Sequence, residues 1–338
     1  MFGLSAPTLL ASIIGCMLTV LPAHAADVIR VRLDWTPWGN HAPFHLAAKK
    51  GLFAANGLDV ELVDGNGSVS TVQIVGNGEY DVGHASLAPM AIARAKGLPV
   101  KAIAGFVRQN DIGLLVPKDS GINGPADLKG KKLAFTAGSL EAPFIDRFLA
   151  AGGLKRSDVE LIAVDASAKG GTYMAGRSDG VFSTVPFILP VVNAQRPSNT
   201  INFTTYGLTF PSFGLFATEK SIAAKTDALR RFSSIVAGMW TYIMNGHEDE
   251  AVAAIMEARP NAKLNPAILR QQIDVLKGFV STPATQDKPM GIMAEADWTK
   301  ALDVLAEGGL VPAGQAAPSY FTNDLIDTSL SSRIASGK

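Results

Sequence analysis

Ile29, Val31 and Leu33 alternate with Arg30 and Arg32, the two-residue period of a half-buried strand. The same period returns over residues 58–63. Short apolar runs at 82–85, 100–107, 112–116, 132–135, 161–164 and 180–185 predict further strands. Between them, 69–76, 89–96, 140–151 and a stretch near Tyr173 read as helices. Strands that alternate with helices predict βαβ units and a mostly parallel sheet from Val28 to about Thr218. The pattern then changes. Leu229, Phe232, Ile235, Val236, Met239, Trp240 and Ile243 keep helical spacing and predict a helix over 227–245, closed by Gly246. Glu248, Asp249 and Glu250 load the first turn of the next helix, where the macrodipole favours acids. Further helices fit 266–279 and 294–306, so the last quarter is a helical addition to an α/β body. Segments 111–116 and 205–214 read as crossings between two lobes, with a length between them that suits a small inserted α/β domain.

Composition narrows the class. The chain has 338 residues, 47% hydrophobic and 18% charged, enough for a sizeable core. Lys+Arg and Asp+Glu are both 30, so no charge excess draws nucleic acid or an anionic membrane. Residues 1–25 read as an export signal: an apolar run over 9–21, too short for a span, then Ala23-His24-Ala25 before Ala26. Ile13-Ile14-Gly15-Cys16 offers a second reading, lipid attachment at Cys16. Cleavage after Ala25 ranks ahead of it and removes the single cysteine, which leaves no thiol chemistry or disulfide in the mature chain. The expected product is exported, with no later membrane insertion.

The stretch from Asp34 to His45 carries the densest chemistry: two Trp, one Phe, two His, an Asn and an Asp in a loop at the carboxyl end of a strand, running into a helix at His45. Ligands of open α/β sheets sit at such strand ends. Trp35 and Trp38 are stacking candidates, one of them facing a cleft and the other packing the lobe. Asn40 supplies a donor and an acceptor, and His41 is either a ligand contact or a core histidine. Ser68 and Ser70 stand near a helix start, as ligand contacts or as simple caps; Ser86 ends a strand. Ser139 opens a helix, and Glu141 in its first turn either pairs with a ligand N–H or favours the dipole. Thr184 ends another strand, and Tyr206 and Phe213 flank the return crossing. His41 and His45 are four apart, but Pro43 intervenes and no Glu completes a zinc motif, so no metal is expected. The serine-hydrolase elbow, the phosphate loop and the dinucleotide fingerprint are all missing, so neither catalytic residues nor a cofactor is expected.

An ordered set of motifs carries a resemblance. Leu33-Asp34-Trp35-Thr36-Pro37 with Asn40-His41 comes first, then Ala48-Lys49-Lys50-Gly51-Leu52-Phe53 and Gly57-Leu58-Asp59-Val60. Gly78-Glu79-Tyr80-Asp81-Val82-Gly83, Ala93-Arg94-Ala95-Lys96-Gly97-Leu98-Pro99-Val100, Asp127-Leu128-Lys129-Gly130-Lys131-Lys132 and Gly176-Arg177-Ser178-Asp179-Gly180 follow. Over about Val28 to Leu310 the chain resembles bacterial periplasmic substrate-binding proteins of ABC importers, in the branch for thiamine-pyrimidine precursors, alkanesulfonates and nitrate. The resemblance implies an α/β, two-lobe periplasmic binding protein of type II, with mixed sheets, crossing hinges and a helical C-terminal extension. It implies a first lobe from 26–113 and 213–338, a second lobe from 114–212, and a monomer that shuts on a small flat ligand. The ligand would then pass to a membrane permease driven by its ATPase. Trp35-Thr36-Pro37 with Asn40-His41 looks most like the aminopyrimidine binders. Trp38 and Phe44-His45 depart from that subgroup and favour something flat and aromatic; an alkanesulfonate or an aromatic carboxylate is the alternative ligand. A fungal pyrimidine-precursor synthase shares the fold, but its cysteine cluster is not in this sequence.

Overall fold

The computed structural model describes residues 1–3 and 25–337; the apolar run at 9–21 and Cys16 lie outside the described residues. The first sheet opens with β1 (Asp27–Arg32), β2 (Leu58–Val63), β3 (Val82–Ser86) and β4 (Val100–Gly105), joined through α1 (Ala42–Lys49), α2 (Leu52–Ala55), α3 (Ser68–Gly76) and α4 (Leu87–Ala95). The chain then enters a second sheet of β5 (Ile112–Pro117), β6 (Lys132–Phe135), β7 (Glu160–Ala163), β8 (Gly180–Thr184) and β9 (Ser198–Asn202), with α5 (Ile145–Ala151), α6 (Lys169–Met174) and α7 (Val185–Val192). It returns through β10 (Phe213–Thr218) and ends in α8 (Glu219–Ala224), α9 (Thr226–Met244), α10 (Glu248–Ala258), α11 (Pro266–Leu276), α12 (Glu295–Glu307) and α13 (Thr328–Ala335). Trp240 and its helical-period neighbours form the buried stripe of α9, which packs on α1 and α13.

Both sheets share one plan. Their orders are β2-β1-β3-β10-β4 and β7-β6-β8-β5-β9. In each, four of the five strands run in one direction, and the one that has just crossed from the other lobe lies antiparallel between its two neighbours. The sheets are therefore mixed, not mostly parallel as strand–helix alternation alone predicts. The reason is geometric. A βα unit leaves its strand at the edge facing the other lobe, whereas a crossing strand starts there. One edge of the first sheet thus gathers the ends of β1 and β3 and the start of β10, where Phe213 pairs with Ser86. The facing edge of the second gathers the ends of β6 and β8 and the start of β5, where Ile112 pairs with Thr184.

Several predicted bounds move. Helix α1 starts at Ala42, not His45, with Pro43 in its first turn, where a missing N–H costs nothing. The helix predicted over 140–151 is a 3-10 turn at Ala142–Phe144 followed by α5. Residues 112–116 are strand, so the first crossing is 106–111. The hydrogen bonds of Asn110 Nδ2 to the Leu208 carbonyl (2.6 Å) and of Ser212 Oγ to Asp111 (2.6 Å) tie the two crossings together.

Candidate functional site

The first lobe builds its wall from the loop after β1. Gly67 N–H bonds the Asp34 carbonyl at 2.6 Å and Gly65 N–H the Trp35 carbonyl at 3.1 Å, so the loop before α3 is knitted to the Trp-rich loop. Asp34 lies beneath. Its Oδ1 accepts from His41 Nε2 (2.9 Å) and His84 Nδ1 (3.1 Å). A carboxylate only accepts, so both facing ring nitrogens carry the proton. Burial alone would raise the Asp34 carboxyl, but these two bonds outweigh it and hold its pKa at about 2. Burial pushes His84 down, so an ionised Asp34 faces a neutral His84 at neutral pH. The His84 ring stacks on Phe213 at 5.6 Å, and Phe213 meets the edge of Trp38 at 5.5 Å.

The second lobe answers with an ion pair. Glu141 and Lys169 are both 0% exposed, with Nζ 2.5 Å from Oε1. Ser139 Oγ also donates to Glu141, and the Thr136 N–H reaches it at 3.3 Å. Glu141 precedes only a three-residue 3-10 turn, so its role is this network rather than the dipole of a long helix. Burial pulls the Lys169 pKa down against the attraction of Glu141.

The lobes are shut on each other. Phe187 at the start of α7 sets its ring edge-on between Trp35 (6.0 Å) and Trp38 (5.6 Å). Lys169 Nζ lies 4.9 Å from the Trp35 ring centroid. Val69 N–H bonds the Gly138 carbonyl at 3.0 Å. Gln272 on α11 clasps both sides: its Oε1 takes the Gly39 N–H (2.9 Å) and its Nε2 donates to the Phe187 carbonyl (3.0 Å). The remaining gap, lined by Asp34, Trp35, Trp38, Ser139, Leu140, Ser183, Thr184 and Phe187, leaves about 10 Å³ for the centre of a water molecule. That is room for roughly one water. The gap itself is closed, and the two indoles are 5% and 1% exposed. They are buried in the seam between lobes, not within one lobe, and both line the gap rather than one of them.

The eleven sequence candidates sort by their place about this seam; Asn40 is buried in the turn Gly39–His41 that follows Trp38. Trp35, Trp38, Ser139 and Thr184 line it, and Glu141 stands directly behind Ser139. His41 and Phe213 stand behind Trp38. Ser68 Oγ accepts the Ser86 N–H at 3.1 Å, within the first-lobe wall. Tyr206 does not belong: its ring packs edge-on against Phe148 at 5.4 Å, in the far side of the second lobe. Its place beside the return crossing in sequence misled, because the 3-10 turn Phe203–Tyr206 directs it away. Lys169, Phe187 and Gln272 escaped the sequence reading. A lysine before Gly-Gly, a phenylalanine between prolines and a glutamine in a charged helix carry no local signal.

Many polar atoms in this wall have no partner among the described residues: Trp35 and Trp38 Nε1, both amide atoms of Asn40, His41 Nδ1, His84 Nε2 and Ser86 Oγ. Each such group carries a desolvation cost of about 1–3 kcal/mol. Seven of the fourteen such atoms among the described residues belong to this wall. Asp34, His41 and His84 also bring one ligand atom each within 4.8 Å of one another, the make-up of a three-ligand metal site, although one carboxylate oxygen already takes both ring N–H groups. His45 faces elsewhere; burial lowers its pKa to about 3.

A family profile described as NMT1/THI5 like matches residues 38–251. The formylaminopyrimidine-binding protein of Halalkalibacterium halodurans is 24% identical over 292 residues, 83% of this chain and 86% of that protein. The 4-amino-5-hydroxymethyl-2-methylpyrimidine phosphate synthase of Saccharomyces cerevisiae is 31% identical over 135 residues, 40% of this chain and 39% of that one. The solved alkanesulfonate-binding protein SsuA of Xanthomonas axonopodis pv. citri, bound to MOPS, superposes with a TM-score of 0.68 at 16% identity, covering 89% of this chain and 99% of that one. This last likeness concerns the periplasmic-binding-protein fold. Among the described residues no helix is long and apolar enough to cross a membrane.

Proposed function

The chain belongs to the NMT1/THI5-like family, and from that premise we propose that it captures a small aminopyrimidine of the thiamine-precursor type between its lobes, without catalysis, for an ABC importer. The observation behind this reading is the set of unpaired buried donors and acceptors in the first-lobe wall, of which the Trp35 and Trp38 N–H groups line the gap, with a buried Glu141–Lys169 pair behind its other side. A heteroaromatic ring with amino and carbonyl groups satisfies both kinds of atom, and the indoles give it faces to lie on. Asp34 stays ionised and His84 neutral, and Glu141 is already neutralised by Lys169. The site therefore adds no free cation for an anion, which sets an aminopyrimidine ahead of a sulfonate or an aromatic carboxylate. The relative from H. halodurans, named for formylaminopyrimidine, agrees with that choice.

Capture works by differential contact. The shut gap admits no ring, so the bodies on the two sheets, which meet at crossings 106–111 and 203–212 rather than at 113/114 and 212/213, part about those crossings before binding. They close again on contacts that only the liganded form makes. The released protein docks on a permease as a monomer after removal of residues 1–25. Calorimetric titration with formylaminopyrimidine tests the reading: one site per chain is expected, with affinity lost in Trp35→Ala. Conversion of the ligand by the purified protein favours the synthase alternative that the yeast relative suggests; tight binding of MOPS with none of formylaminopyrimidine favours a sulfonate carrier.

A further inference from the structure

We propose that Lys169 is a built-in competitor of the ligand: in the shut form its ammonium holds the place on Glu141, over the Trp35 ring, that the ligand's amino group takes. The inference rests on the aminopyrimidine reading above. A cation between a carboxylate of one lobe and an indole face of the other is the arrangement that recognises an aromatic amine. The ion pair is fully buried, so its mutual attraction is offset by the water both charges have lost. Such a pair yields to a partner that brings its own hydrogen bonds. Glu141 keeps its bonds from Ser139 and Thr136 when the lysine leaves, so the carboxylate stays aimed. The lysine has an exit. A mouth is lined by Asn66, Ser70, Asp165, by Ala168 next to the lysine in sequence and by Thr136, whose N–H bonds Glu141, and a flexible four-carbon stem is the kind of side chain that carries an ammonium out to water. A ligand must therefore donate strongly enough to displace an ammonium. A sulfonate cannot, since its oxygens would face Glu141, so Glu141 sets the specificity and Lys169 the affinity.

Lys169→Met keeps the length of the side chain and removes the charge. Wild type, Lys169→Met, Glu141→Gln and the double variant are titrated with formylaminopyrimidine and with MOPS, alongside urea unfolding. Lys169→Met should bind formylaminopyrimidine about tenfold tighter, the factor that corresponds to one displaced charge-assisted bond. Glu141→Gln should lose binding, and the double variant should bind no tighter than wild type. Lys169→Gln carries the same comparison should the methionine variant not fold. Weaker or unchanged affinity in a folded Lys169 variant overturns the inference and leaves the seam as the ligand site. Failure of the wild type itself to bind formylaminopyrimidine removes the functional reading and this inference with it.

Discussion

Replacing Asn40 with leucine is expected to stabilise the protein and abolish capture at once. Asn40 is 0% exposed, and neither its amide oxygen nor its nitrogen has a partner. An unpaired buried polar group costs about 1–3 kcal/mol, and this side chain holds two. Leucine has nearly the same volume, so the change of shape costs less than about 1.5 kcal/mol. The balance is a gain of about 2 kcal/mol in the free protein. Urea unfolding should show a higher midpoint at unchanged slope, the signature of a stability change without a change in exposed surface. Titration of the same variant with formylaminopyrimidine should give no measurable heat, because the ring has lost a donor and an acceptor together. Ordinary core asparagines behave oppositely, since a bonded amide is destabilised on removal. A loss of more than about 1 kcal/mol in Asn40→Leu would mean that the amide is paired in solution. Undiminished affinity would place the ligand elsewhere.

Other outcomes follow from the same geometry. A Cβ on Gly67 would lie 2.0 Å from the Gly138 carbonyl oxygen, and its φ of +154° suits glycine alone, so Gly67→Ala should hold the lobes apart and strain the loop: a larger radius of gyration by X-ray scattering, weaker ligand binding and a lower midpoint of unfolding. Gln272→Ala removes both arms of the clasp on Gly39 and Phe187 and should cost about 2 kcal/mol for two bonds lost, checked by urea unfolding. Burial raises the Asp111 carboxyl from 3.8 to about 6. Its contribution is thus full below about pH 4 and lost as pH rises through about 6, worth about 3 kcal/mol. Asp111→Asn should equal wild type near pH 4 and exceed it by that amount at pH 7; a difference that does not depend on pH contradicts the assignment. Asp34 runs the other way: its carboxyl is held at about 2, so its stabilisation is present above about pH 4 and fades as pH falls toward 2. Asp34→Asn should therefore be the less stable form at pH 7.

The legible and the hidden parts of this chain separate by range. Strand β1 announces itself because its alternation is local, and α9 because its apolar stripe repeats every turn. The Trp-rich loop was readable because its residues crowd one segment between a strand and a helix. The antiparallel crossing strands were not, since direction within a sheet depends on which lobe a strand enters from. Pro186 and Pro190 concealed α7, although Pro186 occupies a first-turn position that needs no N–H. The carboxylate at Glu141 could be picked out near a helix start, but its lysine stands 28 residues on. Asp34 lay inside the stretch singled out, yet its role shows only when β3 delivers His84 from 50 residues away.

A crystal structure grown with formylaminopyrimidine tests the central claim most directly. Density is expected for one ring in the seam, against Trp35 or Trp38, with its amino group on Glu141 and the lobes farther apart than the present 10 Å³ gap allows. A ligand seated instead in the pocket behind the crossings, beside Arg108 and Lys300, with the seam still shut on Phe187, would contradict it.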